Sequence, residues 1–348
     1  MKATFVGYSL FVISMSPLLK GTPCCPPLEP TKYKVCLLKR SPLPHAGPRV
    51  FEGDNTFITA DFLLWNIKEQ GLDLGLSSAN QSLGSVSSKG SIHHNAGGWT
   101  PGFKVGIGKS LSHDGWDLHL QNTWLEKKDF IKTARFSGNP VLYDSYWFVN
   151  NQRNGISQTY LEGQQQWDFN FNSLQLDLGR SLYLTARMSI RPYIGLQSVW
   201  QTQKLQTSFL GLSGSVKAQQ ELQNWGFGLR GGVNSSWHLN RHFSVITHFG
   251  VSGICEQFKI RRKDLNESDL ISLSIRDSVT DMVNVWEYGI GIQHDFWDCK
   301  ERYHLGFSLS WDAQTWSDQN RFLKTQHQSA SYGDLSFTGV TLKTRFDF

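Results

Sequence analysis

The sequence has few charged residues and contains no long apolar run. Charged residues make up 18% of the 348 residues and apolar residues 39%, whereas soluble globular proteins usually carry about 25% charged residues. No stretch approaches the roughly 20 consecutive apolar residues that a membrane-spanning helix requires. The chain is instead rich in uncharged polar residues, with 13 Trp and 32 Gly. This composition favours a transmembrane β-barrel, whose strands need only one apolar face.

Cysteine is scarce, and the common catalytic and cofactor-binding motifs are missing. Only Cys255 and Cys299 lie beyond residue 50, and no C-x-x-C pair or zinc-type Cys/His spacing occurs. An oxidising envelope would allow a disulfide between them, but two separate thiols are the simpler interpretation. The chain has no P-loop, no G-x-G-x-x-G between a strand and a helix, no H-E-x-x-H and no G-x-S-x-G. We therefore expect no enzyme activity, cofactor or metal.

The positive net charge belongs to the first 50 residues. They hold seven basic residues and one acidic residue, which leaves 27 basic and 28 acidic residues in 51–348. The main part of the chain is therefore almost neutral. It lacks the basic surface that would recruit nucleic acid.

Residues 1–50 differ from the rest of the chain. Met1-Lys2 is followed by a mostly apolar, uncharged stretch as far as Leu19, as in a secretory signal peptide, although no A-x-A cleavage site follows. Residues 20–50 contain seven of the 11 prolines, and all 13 Trp lie beyond residue 50. Two interpretations remain open, an export signal or a disordered Pro-rich extension. We expect the folded domain to span 51–348.

Strict alternation of apolar and polar residues dominates from residue 55 onward. Between Trp225 and Leu239 the odd positions are mainly apolar, and the even positions carry Gly, Arg, Asn, Ser and His. Such a period of two places each set on one face of a strand. Tyr303 and Trp311 lie eight residues apart on one face. In a tilted strand this spans roughly 19 Å, close to the spacing of the two aromatic girdles of a membrane barrel.

Short and long connections alternate between the predicted strands, as in an up-and-down barrel with short periplasmic turns and longer extracellular loops. The long loops are predicted at about 68–98, 129–165, 264–281 and 320–332. The ten predicted strands are 55–67, 100–111, 116–127, 166–183, 189–209, 217–239, 243–262, 283–297, 303–317 and 334–348. In the fourth, the apolar residues change from odd to even positions, which predicts a β-bulge near Asn172 or Ser173.

The C-terminal segment alternates to the end of the sequence. Val340, Leu342, Phe346 and Phe348 share one face. This resembles the C-terminal signal by which outer-membrane barrels are recognised for assembly. We therefore expect outer-membrane lipid and the barrel assembly machinery as partners, the latter through Phe348.

Several segments resemble one known family. They are the stretches Ala60–Trp65 with Gly71-Leu72-Asp73, Gly98–Gly108, His113–Leu118 with Trp124-Leu125, and Ile190–Leu196. The sequence is similar here to the major-outer-membrane-protein-like, pore-forming proteins of Legionella and chlamydia-related bacteria, and the similarity covers about residues 55–348. The resemblance implies a porin-type role in a bacterial outer membrane, and no catalytic motif.

Inward-facing residues of both signs are predicted to line a narrow pore for small hydrophilic solutes. They are Lys104, Asp117, His119, Asp168, Arg191, Arg230, His248, Glu287, His304, Asp312, Lys343 and Arg345. Opposite charges should pair across the lumen, and Arg230, between Gly228 and Gly232, should be its main obstruction. The sequence leaves the solute and the oligomeric state open.

Two alternatives to a pore remain. Long loops would suit a plugged structural or adhesive surface barrel. A protease of the barrel rim would use His and Asp residues such as Asp61, His119, His248 and Asp312.

Overall fold

Ten antiparallel strands form a closed barrel in the computed structural model of the chain. It describes residues 47–48, 50, 54–78, 90–94, 98–111, 115–133, 142–144, 152–153, 156–157, 159–211, 214–240, 242–265, 271–298, 302–323 and 333–348. The barrel strands are β1 (Thr56–Glu69), β2 (Trp99–Ser110), β3 (Trp116–Lys132), β4 (Glu162–Arg180), β5 (Met188–Leu210), β6 (Ser215–His238), β7 (Phe243–Leu265), β8 (Ile271–Trp297), β9 (His304–Trp316) and β10 (Leu335–Asp347). Each pairs with the next, and β10 pairs with β1. The predicted fold is confirmed.

The outer surface of the barrel carries the apolar side chains that the alternation assigned to it. Phe103, Val105, Phe227, Leu229 and Phe307 all point outward and are exposed. A soluble protein rarely leaves so continuous an apolar surface in contact with water. A belt of this kind is stable only where lipid covers it. The described residues contain no helix able to cross a bilayer.

The connections differ in length at the two ends of the barrel. At one end, few residues separate consecutive barrel strands, namely 111–115, 181–187, 239–242 and 298–303, and we assign this end to the periplasm. At the extracellular end, short strands of the first two long loops form a small sheet of Gly75–Ser78, Gly90–His93, Leu142–Asp144 and Thr159–Tyr160. The loop expected at 264–281 was wrong. There β7 extends as far as Leu265, and β8 already begins at Ile271.

The β-bulge predicted in β4 is absent. This strand pairs with β3 and β5 in an unbroken register, so its odd-numbered residues face the lumen throughout. Trp167, Phe169 and Phe171 therefore point inward and are buried, whereas Leu178 points outward and is exposed. The apolar residues change face along the strand because the lumen itself is apolar at the extracellular end.

The hydrophobic core lies inside the barrel, in its extracellular half. It combines inward residues of most strands, including Trp65, Trp167, Phe337 and Trp316, each almost fully buried. Leu72 and Leu74 join it from the first extracellular loop. The lumen therefore has an apolar extracellular half and a polar periplasmic half.

Candidate functional site

Aromatic side chains meet across the lumen in its extracellular half. The ring centroids of Phe171 on β4 and Trp316 on β9 are 5.3 Å apart, at an interplanar angle of 83°. Phe337 on β10 contacts Phe171 at 5.1 Å and Trp65 on β1 at 6.0 Å. Because these rings come from strands on different sides of the barrel and contact one another, they form a layer across its interior.

A segment of the last extracellular loop, residues 317–323, folds into the barrel above this layer. Gln319, Asn320 and Phe322 are fully buried. The Gln319 amide donates to Glu256 on β7 at 3.1 Å, and the Asn320 amide donates to the Gln70 carbonyl at 2.6 Å. These bonds satisfy polar groups that burial would otherwise leave without partners. The segment thus occupies part of the extracellular end of the lumen.

Arg230 on β6 is the centre of the charge network in the periplasmic half. It donates to Asp177 on β4 at 2.7 Å and to Glu287 on β8 at 3.0 Å. Its guanidinium also lies over the Tyr193 ring, 5.0 Å from the centroid. The neighbouring strands leave room for this arrangement, because Gly195 and Ser252 are its register partners on β5 and β7. Opposite charges therefore pair across the lumen here, as predicted.

Two further ion-pair groups lie nearer the periplasmic end. Arg191 on β5 donates from its Nε to Asp117 on β3, at 2.8 Å to Oδ2. His304 contacts Asp347 at 2.7 Å and Asp295 at 2.9 Å, and Arg345 binds the same Asp347 at 2.7 Å. These groups join β8, β9 and β10, and β3 to β5, on the inside of the wall.

A cavity of about 290 Å³ lies among these charges and reaches the periplasmic rim of the barrel. Gly47 and Pro48, which precede β1, lie at its periplasmic end, with Ser189 and Ser236 on the rim. Deeper in the cavity, Asp61 on β1 is the register partner of both Lys104 on β2 and Lys343 on β10. The site that the structure offers is therefore a charged vestibule that ends at the apolar layer.

Most residues predicted to line a pore do face the lumen. Nine of them line the cavity: Lys104, His119, Arg191, Arg230, His248, Glu287, Asp312, Lys343 and Arg345. Asp117 and His304 also face inward, within the ion pairs above. Asp168 was wrongly placed, because it alternates with the inward Trp167 and Phe169 and lies on the outer face. Arg230 is not the only large side chain across the lumen in the described part of the chain, since the aromatic layer lies beyond it.

The sequence interpretation missed Asp177 and Tyr193, which face the cavity beside Arg230. Unbroken alternation along β4 would have identified Asp177, had no bulge been assumed. Asp61, His119, His248 and Asp312 were considered as protease residues of the rim. The structure brings all four into the periplasmic half of the lumen, where His248 Nε2 lies 3.8 Å from Asp312 Oδ1.

The histidine pair of the first extracellular loop makes only local contacts. His94 Nδ1 lies 2.6 Å from Asp73 Oδ1, and His93 Nε2 lies 3.0 Å from the Ser77 hydroxyl. Burial and the neighbouring His94 lower the pKa of His93. Within the part of the chain that the structure describes, no group of three or more His, Cys, Asp or Glu residues could hold a metal.

Comparison with solved structures returns other outer-membrane barrels. One is the outer membrane protease OmpT of Escherichia coli, with a TM-score of 0.45 and 12% identity over 86% of this chain and 98% of that chain. Another is the toluene transporter TodX of Pseudomonas putida, with a TM-score of 0.31 and 10% identity over 84% and 90%. Both TM-scores are below 0.5, so neither likeness bears on function.

Comparison with families is decisive. No protein with a curated description matches the sequence significantly. The profile of the family described as Legionella pneumophila major outer membrane protein precursor matches residues 56–348, which is the whole barrel from β1 to the last residue. The barrel, its lipid-facing belt and this match agree on the bacterial outer membrane as its location. The chain therefore belongs to the Legionella major outer membrane protein family.

Proposed function

We propose that this protein is a structural barrel of the outer membrane whose lumen does not conduct in the folded state. One observation carries the proposal, namely the contact of Phe171 with Trp316 across the barrel. Because wall residues make this contact, movement of the extracellular loops alone would not open a passage. The protein would then strengthen the envelope and present its extracellular loops at the cell surface.

The packing of the last extracellular loop supports a permanent closure rather than a mobile gate. Phe322 is buried within the apolar core, and the Leu323 amide donates to the Gln220 side chain at 2.9 Å. Arg321 binds Asp281 at 2.7 Å and lies over the Phe258 ring. Opening would expose this apolar surface to water and break several buried hydrogen bonds.

A porin for small hydrophilic solutes is the second candidate function. The polar cavity of about 290 Å³ in the periplasmic half favours it, since such a vestibule would suit a solute path. That function requires the aromatic layer to rearrange, whereas the structural function does not. We infer no proteolytic function, because the histidines and aspartates considered for it lie in the periplasmic half of the lumen rather than at the extracellular rim.

Liposome swelling tests the proposal. Refolded protein would be inserted into liposomes and diluted into isotonic arabinose, with protein-free liposomes as the control. We expect the two preparations to swell equally little, because the apolar layer blocks the sugar. Folding would be checked by heat-dependent mobility in a detergent gel. Rapid swelling with folded wild-type protein would favour the porin candidate instead.

A further inference from the structure

The cavity at the periplasmic end contains two lysines that have no hydrogen-bonding or ion-pair partner among the described residues. Lys104 and Lys343 both line it, and neither ammonium has a hydrogen bond or ion pair within 4.0 Å among the described residues. The Lys104 ammonium lies over the Trp65 ring, 4.6 Å from its centroid. The other lumen cations differ, since Arg191, Arg230 and Arg345 are each bound to carboxylates.

Two carboxylates that line the same cavity, Asp61 and Asp312, are each hydrogen-bonded to a neighbouring side chain. Asp61 Oδ2 accepts from Gln121 at 3.3 Å, and its Oδ1 is enclosed without a partner. Asp312 Oδ2 accepts from the Thr341 hydroxyl at 2.5 Å, and its Oδ1 is likewise enclosed. Histidines apart, the cavity lining has one cation in excess, with five cations (Lys104, Arg191, Arg230, Lys343 and Arg345) against four carboxylates (Asp61, Asp177, Glu287 and Asp312). Asp61 lies between the two lysines in the register.

We propose that this cavity is a binding site for a small carboxylate that enters from the periplasm. An ammonium in a narrow lumen loses part of its hydration. An anion bound beside Lys104 and Lys343 would take the place of the lost water. Lysine suits this task because its ammonium is a compact charge with three rotatable donors. Asp61 disfavours a dianion, since its charge lies beside both lysines. A monoanionic carboxylate of a few carbon atoms offers one negative charge to the lysines and lacks the second charge that Asp61 would repel. It also fits the cavity of about 290 Å³.

This proposal goes beyond the proposed function and does not depend on it. A vestibule closed at the aromatic layer can bind a solute without passing it. Binding and swelling are separate measurements, so failure of one leaves the other intact.

Saturation-transfer NMR on the refolded full-length protein in detergent tests the site, with acetate and lactate as probes. We expect saturable binding that replacement of Lys343 by Gln weakens about tenfold, the usual effect of losing one charged hydrogen bond. Lys109→Gln is the matched control, because it removes the same charge from the outer face of β2. It should leave the dissociation constant unchanged.

A second variant, which should tighten binding rather than weaken it, distinguishes an effect on the site from a loss of folding. Asp61→Asn removes the negative charge between the two lysines and should tighten acetate binding. Phosphate at a pH where it is doubly charged should displace acetate only weakly. Equal acetate affinity in wild type, Lys343→Gln and Asp61→Asn, with all three folded, would overturn the proposal. Displacement of acetate by an equal concentration of chloride would also overturn it, since the cavity would then hold any counterion.

Discussion

Phe171 and Trp316 meet edge to face inside the barrel, with their ring centroids 5.3 Å apart. Their strands, β4 and β9, lie opposite each other, since five strand positions separate them in either direction round the ten-stranded sheet. The two rings therefore span the interior from wall to wall. Phe169 and Phe337, 6.0 Å apart, make a second contact of this kind.

Replacement of Phe171 by Ala should destabilise the barrel by about 3–5 kcal/mol, as is usual when a fully buried aromatic ring is removed from a packed core. Phe227→Ala is the control, because Phe227 is half exposed on the outer face and lipid can fill the space it vacates. Urea unfolding in lipid vesicles measures both changes. Equal losses at the two positions would show that the lumen is not packed as a core.

Replacement of Phe307 by Arg tests the lipid-facing surface. Phe307 points outward midway between Tyr303 and Trp311, which are also exposed on that face. An arginine near the middle of the bilayer costs about 2–4 kcal/mol in such barrels. Phe307→Leu should cost much less. The same urea titration measures both, and a negligible effect of the arginine would contradict the assigned face.

Replacement of Arg230 by Ser should destabilise the protein without opening it. The substitution leaves Asp177 and Glu287 buried without their cation, and breaking a buried pair in this way costs about 3–5 kcal/mol. Combining it with Asp177→Asn and Glu287→Gln should recover much of the loss. Planar-bilayer recordings should show no new current. Stable channels in Arg230→Ser alone would restore Arg230 as the main obstruction.

Deletion of Phe348 should slow assembly into the outer membrane without stopping synthesis. The Phe348 amide donates to the Thr56 carbonyl at 3.0 Å, and the Thr56 amide donates back at 3.2 Å. These bonds close the barrel between its first and last strands, and Phe348 stacks on Phe346. Pulse-chase measurement of the heat-resistant form gives the rate. Assembly of the truncated chain at the wild-type rate would refute this role.

Much of the fold could be predicted from the sequence, because alternation directly encodes the two faces of a strand. The terminal strand with Leu342 and Phe346 on its outer face shows this well. The prediction failed in β4, where apolar was equated with outward. That rule holds only where the lumen is polar, and Trp167 and Phe169 face an apolar lumen. The misplacement of Asp168 follows from the same error.

The packing inside the lumen could not be predicted, because it depends on contacts between distant parts of the chain. Gln319 and Asn320 look like ordinary polar loop residues, yet both are fully buried. Their partners are Glu256 on β7 and the Gln70 carbonyl just after β1. The inward direction of individual charges was predictable, but the way Arg230 serves two carboxylates at once depends on the curvature of the barrel.

Single-channel recording of the refolded wild-type protein in a planar bilayer tests the central claim, a lumen closed by wall residues, most directly. It should be paired with the double variant Phe171→Ala/Trp316→Ala, folded by the same gel criterion. We predict no discrete openings for the wild type. Current should appear in the double variant only when residues 317–323, which pack above the rings, are removed as well. Regular openings of the folded wild-type protein, unchanged in the double variant, would contradict a lumen closed by this contact.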